Sequence, residues 1–408
     1  MGIHMGNKKI YIRFSAIMFF FFLSWAASYK MISIWLGQTI HLNGASIGFL
    51  FSINGIFTLV MQPLYGYILD KLGSRKNLLL CLSGVLILTG PFFKFVYGPL
   101  LELDFLVGAV IGGIFIGSTY MASMGAVESY TEKISRKYDF EYGHVRMWGS
   151  LGTAIAAFFA GSMFNLDPNY NFHLGSIAAI VVFLIIITTK IDVTDTEIEK
   201  SETIKVSSAL ELFKLKDFWM FIVFIIGIAS MYSIYDQQFP RYFAEQFATV
   251  QAGNQMYGYL NSLQTFLEAG MMFLAPKIVN KLGIRNSMLL VGLLLAVRII
   301  LTSMVTGPVL ISIIKLIQSF DMPILYISIF KYINHNFEAK WSSIMYLVGY
   351  QFISEAGVIG FSPLMGKMYD VVGYRTAYVY LGIIVCLFVV ISFFTLKKDS
   401  QVSVEVSE

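Results

Sequence analysis

Apolar residues dominate long stretches of this chain, and short polar stretches interrupt them at fairly regular distances. A helix that crosses a bilayer needs about 20 mostly apolar residues, and apolar runs of that length recur about twelve times. The predicted spans are 11–37, 46–69, 77–98, 105–127, 145–165, 172–189, 218–243, 256–278, 287–306, 309–332, 344–366 and 376–396. The pattern therefore predicts an all-α polytopic membrane protein.

The longest polar stretch of the chain separates the sixth predicted span from the seventh. We expect an N-terminal six-helix bundle at 1–190, a cytoplasmic linker at 191–216, a C-terminal six-helix bundle at 217–398 and a cytoplasmic tail at 399–408. An ordinary long loop would have the same polar composition as the predicted linker.

A short internal repeat supports this division. Residues 70–75 (DKLGSR) recur in related form as residues 280–285 (NKLGIR), 210 residues later, and both follow the second span of their half. Self-similar halves are typical of transporters that bind their substrate between two related bundles. A chance match of so short a motif is the alternative.

The lysines and arginines of the loops predict the orientation. Twenty-one fall on the side of the N-terminus and four on the opposite side. Loops rich in Lys and Arg stay in the cytoplasm, so the sequence predicts a multi-pass protein of the plasma (inner) membrane with both termini cytoplasmic.

Composition agrees with a membrane protein and excludes several other classes. The 408 residues are 57% hydrophobic and only 13% charged, whereas soluble domains carry about 25% charged residues. A net charge of +4 is too small to indicate a nucleic-acid partner. The five histidines are scattered without metal-ligand spacing, and no Gly-rich phosphate loop follows a strand. No metal, cofactor or enzymatic activity is expected.

Beyond the loop cations counted above, five acids and four bases lie inside stretches that are otherwise apolar. Each would cost roughly 2.5–3.5 kcal/mol at the centre of a bilayer, so such groups pair with each other or face a water-filled cavity. These side chains are the acids Glu128, Asp236, Glu268, Asp321 and Glu355 and the bases Lys30, Arg146, Arg298 and Lys315. We expect them to form a functional site.

The loop after the second span carries a recognisable motif. Residues 66–76 (GYILDKLGSRK) resemble the GxxxDKxGRRK signature of the major facilitator superfamily. Glycine allows close helix approach and a tight turn, and a carboxylate at a helix end can meet nearby bases. The residues that carry the signature are Gly66, Asp70, Lys71, Gly73 and Arg75. The resemblance implies a contact that locks two helices in one conformation and breaks in another; a basic loop that only sets the topology is the alternative.

Further segments resemble the lactose permease and sucrose permease family, the oligosaccharide:proton symporters. They are 140–146 (FEYGHVR), 236–238 (DQQ), 258–262 (GYLNS) and 330–332 (FKY), with 146–150 (RMWGS), 157–161 (AFFAG) and 267–269 (LEA) closer to the sucrose permease branch. The resemblance runs from the first span to the twelfth. It implies twelve helices in two pseudo-symmetric six-helix bundles and proton-coupled import of a disaccharide or small oligosaccharide, with a sucrose-like sugar favoured.

The resemblance also implies which residues bind the sugar. Glu128 and Arg146 match the family's central sugar-binding pair, in which a carboxylate accepts and a guanidinium donates hydrogen bonds. A structural salt bridge is the alternative. Glu268 matches the sucrose branch and is assigned to sugar binding or to coupling, with Gln318 and Asn261 as auxiliary sugar contacts.

The same resemblance implies a proton-coupling group. Asp321 matches the acid that the family protonates, and Arg298 would tune it, because burial favours the neutral form of a carboxyl and a nearby Arg favours the charged form. Lys315, Gln318 and Asp321 follow at i, i+3 and i+6 and so share one helix face. Asp236 and Lys315 match an interhelical charge pair with a structural role. A static bridge between Arg298 and Asp321 is the alternative.

The chain departs from the family at several positions. Gln318 stands where the family usually has a His, and Gln cannot carry a proton. Thr153 stands where the family has an aromatic residue that stacks on a sugar ring. Phe22 or Trp25 would then supply the stacking, although either would suit a lipid-facing position equally well.

Two further charges are unusual for the family. Lys30 and Glu355 would balance each other if they paired across the cavity. The substrate alternatives on the same fold are a proton-linked exporter or a nucleoside carrier, and a sugar sensor that does not transport is a third alternative. We expect a sugar and a proton as ligands, a lipid bilayer as environment and a monomer as the functional unit.

Overall fold

The computed structural model describes residues 5–191, 213–337 and 345–397. Every regular element in those ranges is helical. The predicted linker lies almost wholly outside the described residues, and the predicted tail lies outside them entirely.

The first half of the chain forms six helical spans, α1 to α6. Their bounds are α1 at Met5–Tyr29 and Ile32–Gln38, α2 at Gly44–Leu72, α3 at Asn77–Ile87 and Thr89–Leu103, α4 at Phe105–Lys137, α5 at Tyr142–Leu166 and α6 at Pro168–Thr188. A short non-helical break after Tyr29 divides α1.

The second half forms six further spans, α7 to α12. Their bounds are α7 at Lys216–Ala244, α8 at Val250–Leu282, α9 at Ile284–Met304, α10 at Pro308–Leu316 and Gln318–Asn336, and α11 and α12 within Met345–Thr395. Gly373 separates α11 (345–372) from α12 (374–395), because its φ of 77° lies in the left-handed region that favours glycine.

The number of membrane spans agrees with the prediction. In the described part of the chain, nine helices are long and apolar enough to cross a membrane, and the two segments of α3, bent by 46°, form a tenth span. Met345–Thr395 counts once among the nine but contains two spans. The polar helix α8, at 33 residues, is long enough to cross as well. The prediction of an all-α protein with twelve spans is confirmed.

Several helices extend beyond the apolar runs that predict them. The run at 105–127 predicts that Glu128 ends the fourth span, but α4 continues to Lys137. Its last part stays helical because one face remains apolar and buried, through residues such as Val127, Tyr130 and Ile134. Glu128 therefore lies inside a helix rather than at its end.

The two related loops make similar contacts in the two halves. Lys76, at the beginning of α3, donates from Nζ to three carbonyls at the end of α6 at 2.7–2.8 Å. Arg285, at the beginning of α9, donates from Nε to the carbonyl of Leu396, just after α12, at 3.0 Å. A cation at a helix C-terminus satisfies carbonyls that have no partner within the helix. Arg285 ends the second copy of the repeat, whereas Lys76 follows the first copy and has Asn286 as its equivalent. The two loops therefore share the kind of contact but not the residue that makes it.

The two ends of the molecule differ. We call the end where α1 begins the near end and the end that holds the loop 39–43 the far end. Toward the far end α2 packs along α11 and α5 packs along α8. A Cβ at Gly48 would lie 2.2 Å from the carbonyl oxygen of Ser362, and one at Gly161 would lie 2.0 Å from that of Asn254. Only glycine permits these approaches.

Toward the near end the same helices have room around them. A Cβ added to Gly66 of α2, Gly143 of α5 or Gly270 of α8 would meet no other atom within 4 Å. The bundles are therefore closed against each other at the far end and apart at the near end.

Candidate functional site

The first bundle holds a partly exposed ion pair. Arg146 of α5 donates from Nε to Oε1 of Glu128 of α4 at 2.5 Å, and the two side chains are 32% and 30% exposed. The guanidinium lies over the ring of Phe22 of α1, with Cζ 4.1 Å from the ring centroid. This arrangement fixes the plane of the guanidinium and leaves donors and acceptor oxygens free for a ligand.

The neighbouring aromatic residues differ in their access to a ligand. Phe22 is 3% exposed and is covered by Arg146, so it cannot stack on a sugar ring in this state. Trp25, one helical turn later, is partly exposed, and Tyr29 stacks against it with ring centroids 5.7 Å apart. Thr153 is buried and bonds the carbonyl of Gly149 at 3.1 Å. Of the two predicted stacking residues, only Trp25 is accessible.

The second bundle holds a fully buried ion pair. Nε of Arg298 in α9 lies 3.4 Å from Oδ2 of Asp321 in α10, and the two side chains are 0% and 1% exposed. Within the described residues, neither carboxylate oxygen of Asp321 accepts a hydrogen bond. The contact is electrostatic only, and such a buried group without hydrogen bonds is unusual in native proteins.

Gln318 connects this ion pair to a second one. Its Oε1 accepts from Nη1 of Arg298 at 2.6 Å, and its Nε2 donates to Oδ2 of Asp236 in α7 at 2.6 Å. The other oxygen of Asp236 accepts from Nζ of Lys315 at 2.5 Å. Lys315, Gln318 and Asp321 thus lie on the side of α10 that faces α7 and α9.

The role predicted for Gln318 changes with this geometry. Its side chain is 3% exposed and both ends of its amide are occupied. It therefore has no free donor for a sugar in this state, and it acts as a bridge between Asp236 and Arg298.

Aromatic rings surround the buried cations. The guanidinium of Arg298 lies 5.1 Å from the ring centroids of both Tyr232 and Tyr235, and Nζ of Lys315 lies 4.5 Å from that of Phe239. Cation–π contacts of this kind offset part of the cost of removing a cation from water.

Glu268 of α8 is the acid that the two bundles share. Its helix packs along α5 of the first bundle and along α10 of the second. Its side chain is partly exposed. The charges of both bundles therefore face one space between them.

Asn261 lies two helical turns before Glu268 in α8. Its Nδ2 donates to the hydroxyl of Tyr257 at 2.9 Å. Within the described residues its Oδ1 has no hydrogen-bond partner although it is buried, so one acceptor remains for a ligand.

The predicted pair of Lys30 and Glu355 is wrong. Glu355 lies where α2 crosses α11, and its Oε2 is 3.5 Å from the position of a Cβ at Gly55. Lys30 forms no ion pair with Glu355 or with any other acid among the described residues. Charge balance gives the number of opposite charges but not which helices bring them together.

The charged residues of the loop motif lie on the surface at the near end. Asp70, Lys71 and Arg75 are exposed, and Asp70 forms no ion pair within the described residues. Gly73 has a φ of 59°, as the predicted tight turn requires. Ser74 is buried, and its carbonyl accepts a hydrogen bond from the hydroxyl of Tyr130 in α4 at 2.7 Å.

Sequence reasoning missed a contact at the far end. The carboxylate of Asp370, at the end of α11, accepts hydrogen bonds from the backbone N–H groups of Gly44 and Ala45 at 2.7 Å each. A signal was available, since 366–375 repeats the pattern G-x3-D-x2-G-x-R of residues 66–75, 300 residues later.

Comparison with known sequences gives a consistent result along the whole chain. A family profile described as LacY proton/sugar symporter matches residues 3–408. The sucrose permease of Escherichia coli is 38% identical over 99% of this chain and 98% of its own length. The lactose permease of Klebsiella oxytoca is 37% identical over 91% of both chains. The raffinose permease of Escherichia coli is 35% identical over 95% of this chain and 92% of its own length.

Comparison with solved structures supports the architecture. The nucleoside transporter NupG superposes with a TM-score of 0.80 at 16% identity, over 95% of this chain and 99% of that one. A D-xylose-proton symporter superposes with a TM-score of 0.70 at 14% identity, over 95% and 98%. At these identities the likeness shows the transporter fold alone.

Proposed function

Because the chain belongs to the LacY proton/sugar symporter family, we propose that it imports a disaccharide or small oligosaccharide together with a proton, with sucrose as the first substrate to test. The observation that carries the proposal is that two ion pairs of different solvent exposure lie around one space between the bundles. The pair in the first bundle is open to a ligand, and the pair in the second bundle is shielded from solvent.

In the proposed sugar site, Glu128 accepts hydrogen bonds from sugar hydroxyls and Arg146 donates to them. Trp25 offers the exposed part of its indole to an apolar patch of the sugar. Glu268 contributes a second acceptor from the opposite bundle, so the sugar bridges the two bundles. Asn261 contributes its free acceptor oxygen.

In the proposed coupling site, Asp321 holds the proton. Its oxygens accept no hydrogen bond among the described residues, and burial without such bonds favours the neutral form of a carboxyl. Arg298 opposes this at 3.4 Å. A movement of α9 against α10 that changes this distance would capture or release the proton. Gln318 takes no proton, and the Asp236–Lys315 pair serves to neutralise charge within the bundle.

The bundles are proposed to alternate about this site. With both termini in the cytoplasm, as the loop charges predict, the near end is cytoplasmic and the structure is open to the inside. Rocking of 1–190 against 217–398 would close the near end and open the far end. A proton that enters with the potential supplies about 2.3 kcal/mol per 100 mV. We propose that the monomer is sufficient and that the plasma membrane is the location.

Sugar is favoured over a nucleoside as the substrate. The sugar permeases match this chain at 35–38% identity, whereas the nucleoside transporter matches at 16% and shares the fold only.

Uptake of labelled sucrose, raffinose, lactose and melibiose tests the proposal, in cells that lack other permeases for these sugars. We expect saturable uptake of at least one of them, competition by the unlabelled sugar and loss of accumulation when a protonophore is added. Sugar binding without uptake would support a sensor instead, and no binding of any of the four would contradict the proposal.

A further inference from the structure

Two charges of the inter-bundle space are left without a contact partner. The Glu128–Arg146 pair and the Asp236–Lys315 pair each join an acid to a base at 2.5 Å. Lys30 of the first bundle and Glu268 of the second have no opposite charge within 4 Å among the described residues. Glu355 of α11 also has no ion pair among the described residues, but it lies where α2 crosses α11. In the space between the bundles, one free cation therefore remains on the first bundle and one free anion on the second.

The backbone places Lys30 at the break in α1. The first part of the helix ends at Tyr29 and the second begins at Ile32. The ammonium lies 5.4 Å from the ring centroid of Trp25, and the side chain is partly exposed. The contact with the indole orients the ammonium without consuming any of its three N–H donors.

Lys30 on α1 and Glu268 on α8 belong to different bundles, but both helices pack along α5. The two side chains are more than 4 Å apart and form no ion pair in this state. An ammonium and a carboxylate together suit a sugar ring, because they donate to and accept from its hydroxyls. The indole of Trp25, with Tyr29 and Lys30 against its ring, holds the ammonium in position.

This group lies next to the first sugar site. Arg146 covers Phe22 and Lys30 covers Trp25, and the centroids of these two rings are 6.4 Å apart. Two cations thus stand side by side along one face of α1, each over its own aromatic ring.

We propose that Lys30, Trp25 and Glu268 form a second-ring subsite, in which Lys30 selects among neutral oligosaccharides by donating to hydroxyls of the second sugar ring. This inference rests on the proposed function. The Glu128–Arg146 pair holds the first ring, which a monosaccharide also presents. Only a sugar of two or more rings reaches Lys30 and Glu268, and it bridges the two charges when the bundles approach.

The test compares Lys30→Met and Lys30→Arg with Lys94→Met. Lys94 is a matched control, because its Nζ also lies 5.4 Å from an aromatic centroid, that of Phe95, but it is exposed outside the site. The measurement is the dissociation constant of the transported oligosaccharide and of its component monosaccharide, on purified protein. Lys30→Met should weaken oligosaccharide binding about tenfold, the effect of losing a hydrogen bond to a charged group. Monosaccharide binding should not change, and Lys30→Arg should restore most of the affinity.

The outcomes separate the two proposals. If the unmodified protein binds none of the sugars, the proposed function fails. If it binds an oligosaccharide and Lys30→Met behaves like Lys94→Met, only the second-ring subsite fails. An equal loss for both sugars, together with a lower unfolding temperature, would show a structural role for Lys30 and overturn the inference.

A second inference rests on an independent observation, the position of Asp370. The N–H groups of Gly44 and Ala45 belong to the first turn of α2, where backbone donors lack partners within the helix and the helix dipole is positive. Asp370 satisfies both from the other bundle at 2.7 Å. Gln238 of α7 donates to the carbonyl of Gly44 at 2.9 Å. Side chains of the second bundle therefore bond both the N–H and the carbonyl of Gly44.

We infer that residues 366–375 form a latch that holds the far end closed. The helices meet so closely there that a Cβ at Gly366 would lie 2.1 Å from the carbonyl oxygen of Gly44. The latch uses the same sequence pattern as the loop motif of residues 66–75, whose charged residues are exposed at the open end. Opening of the far end must break the two charged hydrogen bonds of Asp370.

The test measures access to the seam between α2 and α11. Ser52→Cys, in a background in which Cys81 and Cys386 are replaced by Ala, places a thiol at a buried seam position. Asp370→Ala should raise the rate of labelling by a water-soluble thiol reagent about tenfold in purified protein. Asp370→Asn should give a smaller increase, because it retains an acceptor without the charge.

Asp104→Ala is the matched control for this test. Asp104 also accepts from two N–H groups of a helix first turn, those of Leu106 and Val107, at 3.0 and 3.2 Å, but within its own bundle. Labelling of both Asp370 variants at the rate of the control would overturn the latch.

Discussion

The two ion pairs on either side of the inter-bundle space differ in exposure and in geometry. Glu128 and Arg146 are about one-third exposed and share a short hydrogen bond at 2.5 Å. Arg298 and Asp321 are completely buried, 3.4 Å apart, and Asp321 accepts no hydrogen bond among the described residues.

This difference separates two tasks. An exposed pair keeps donors and acceptors available to a ligand and stays charged in water. A buried pair with poor geometry gains less from its attraction than it loses by desolvation, so a small movement changes which form of the carboxyl is favoured. The first pair suits sugar recognition, and the second suits reversible binding of a proton.

The largest effect is expected from Arg146→Ala. It removes the donors for the sugar and leaves Glu128 without its partner, so sugar binding should weaken by ~2–5 kcal/mol. Arg136→Ala is the control, because Arg136 pairs with Glu132 at 2.8 Å on the surface and is 73% exposed. Isothermal titration on purified protein measures the difference. Unchanged binding in Arg146→Ala would contradict the role of the exposed pair.

Lys315→Met should lower stability. It leaves Asp236, whose side chain is 29% exposed, with only the amide of Gln318 as a partner, at a cost of ~2–3 kcal/mol, less than for a fully buried pair. Adding Asp236→Asn removes the unpaired charge and should restore most of the loss. Thermal unfolding in detergent compares the single and double variants. A double variant no more stable than Lys315→Met would show that the pair does more than neutralise charge.

Asp321→Asn should separate exchange from accumulation. Sugar exchange across the membrane needs no net proton movement and should persist, whereas accumulation driven by about 100 mV, roughly fiftyfold, should be lost. The control is Asp217→Asn, an acid paired with Lys397 on the surface at 2.6 Å. Accumulation that survives in Asp321→Asn would place the proton elsewhere.

Gln318→Leu should have the smallest effect of this series. It removes two hydrogen bonds and leaves Arg298 and Asp236 each with one unsatisfied group, which costs ~1–3 kcal/mol. Gln318→His keeps a donor and an acceptor at the same position and should be milder. The unfolding temperatures of both variants test the bridge, and equal stability of Gln318→Leu and the unmodified protein would argue against it.

Much of the fold was predictable from the sequence. Apolar run length gives the twelve spans, because a bilayer requires a minimum length of apolar helix. Apolar run length does not predict where α4 ends, because this helix continues past the apolar run as an amphipathic segment. The repeat at 70–75 and 280–285 indicates similar loops, and a basic side chain in or just after each copy donates to a carbonyl at the end of another helix.

The site was predictable only in part. The spacing of Lys315, Gln318 and Asp321 predicts one helix face, and the structure places all three toward α7 and α9. The break after Tyr29, at which Lys30 lies, depends on how α1 packs, and no local pattern reports it. The contact of Asp370 with α2 depends on glycines that allow two distant helices to touch, which sequence spacing alone does not reveal.

Proton movement upon addition of sugar tests the central claim most directly. Cells in lightly buffered suspension that contain the protein should alkalinise the medium when a transported sugar is added, because each sugar enters with a proton. The same cells with Asp321→Asn should exchange labelled sugar but give no alkalinisation. Sugar uptake without alkalinisation by the unmodified protein, or equal alkalinisation by Asp321→Asn, would contradict the division of labour between the exposed and the buried ion pair.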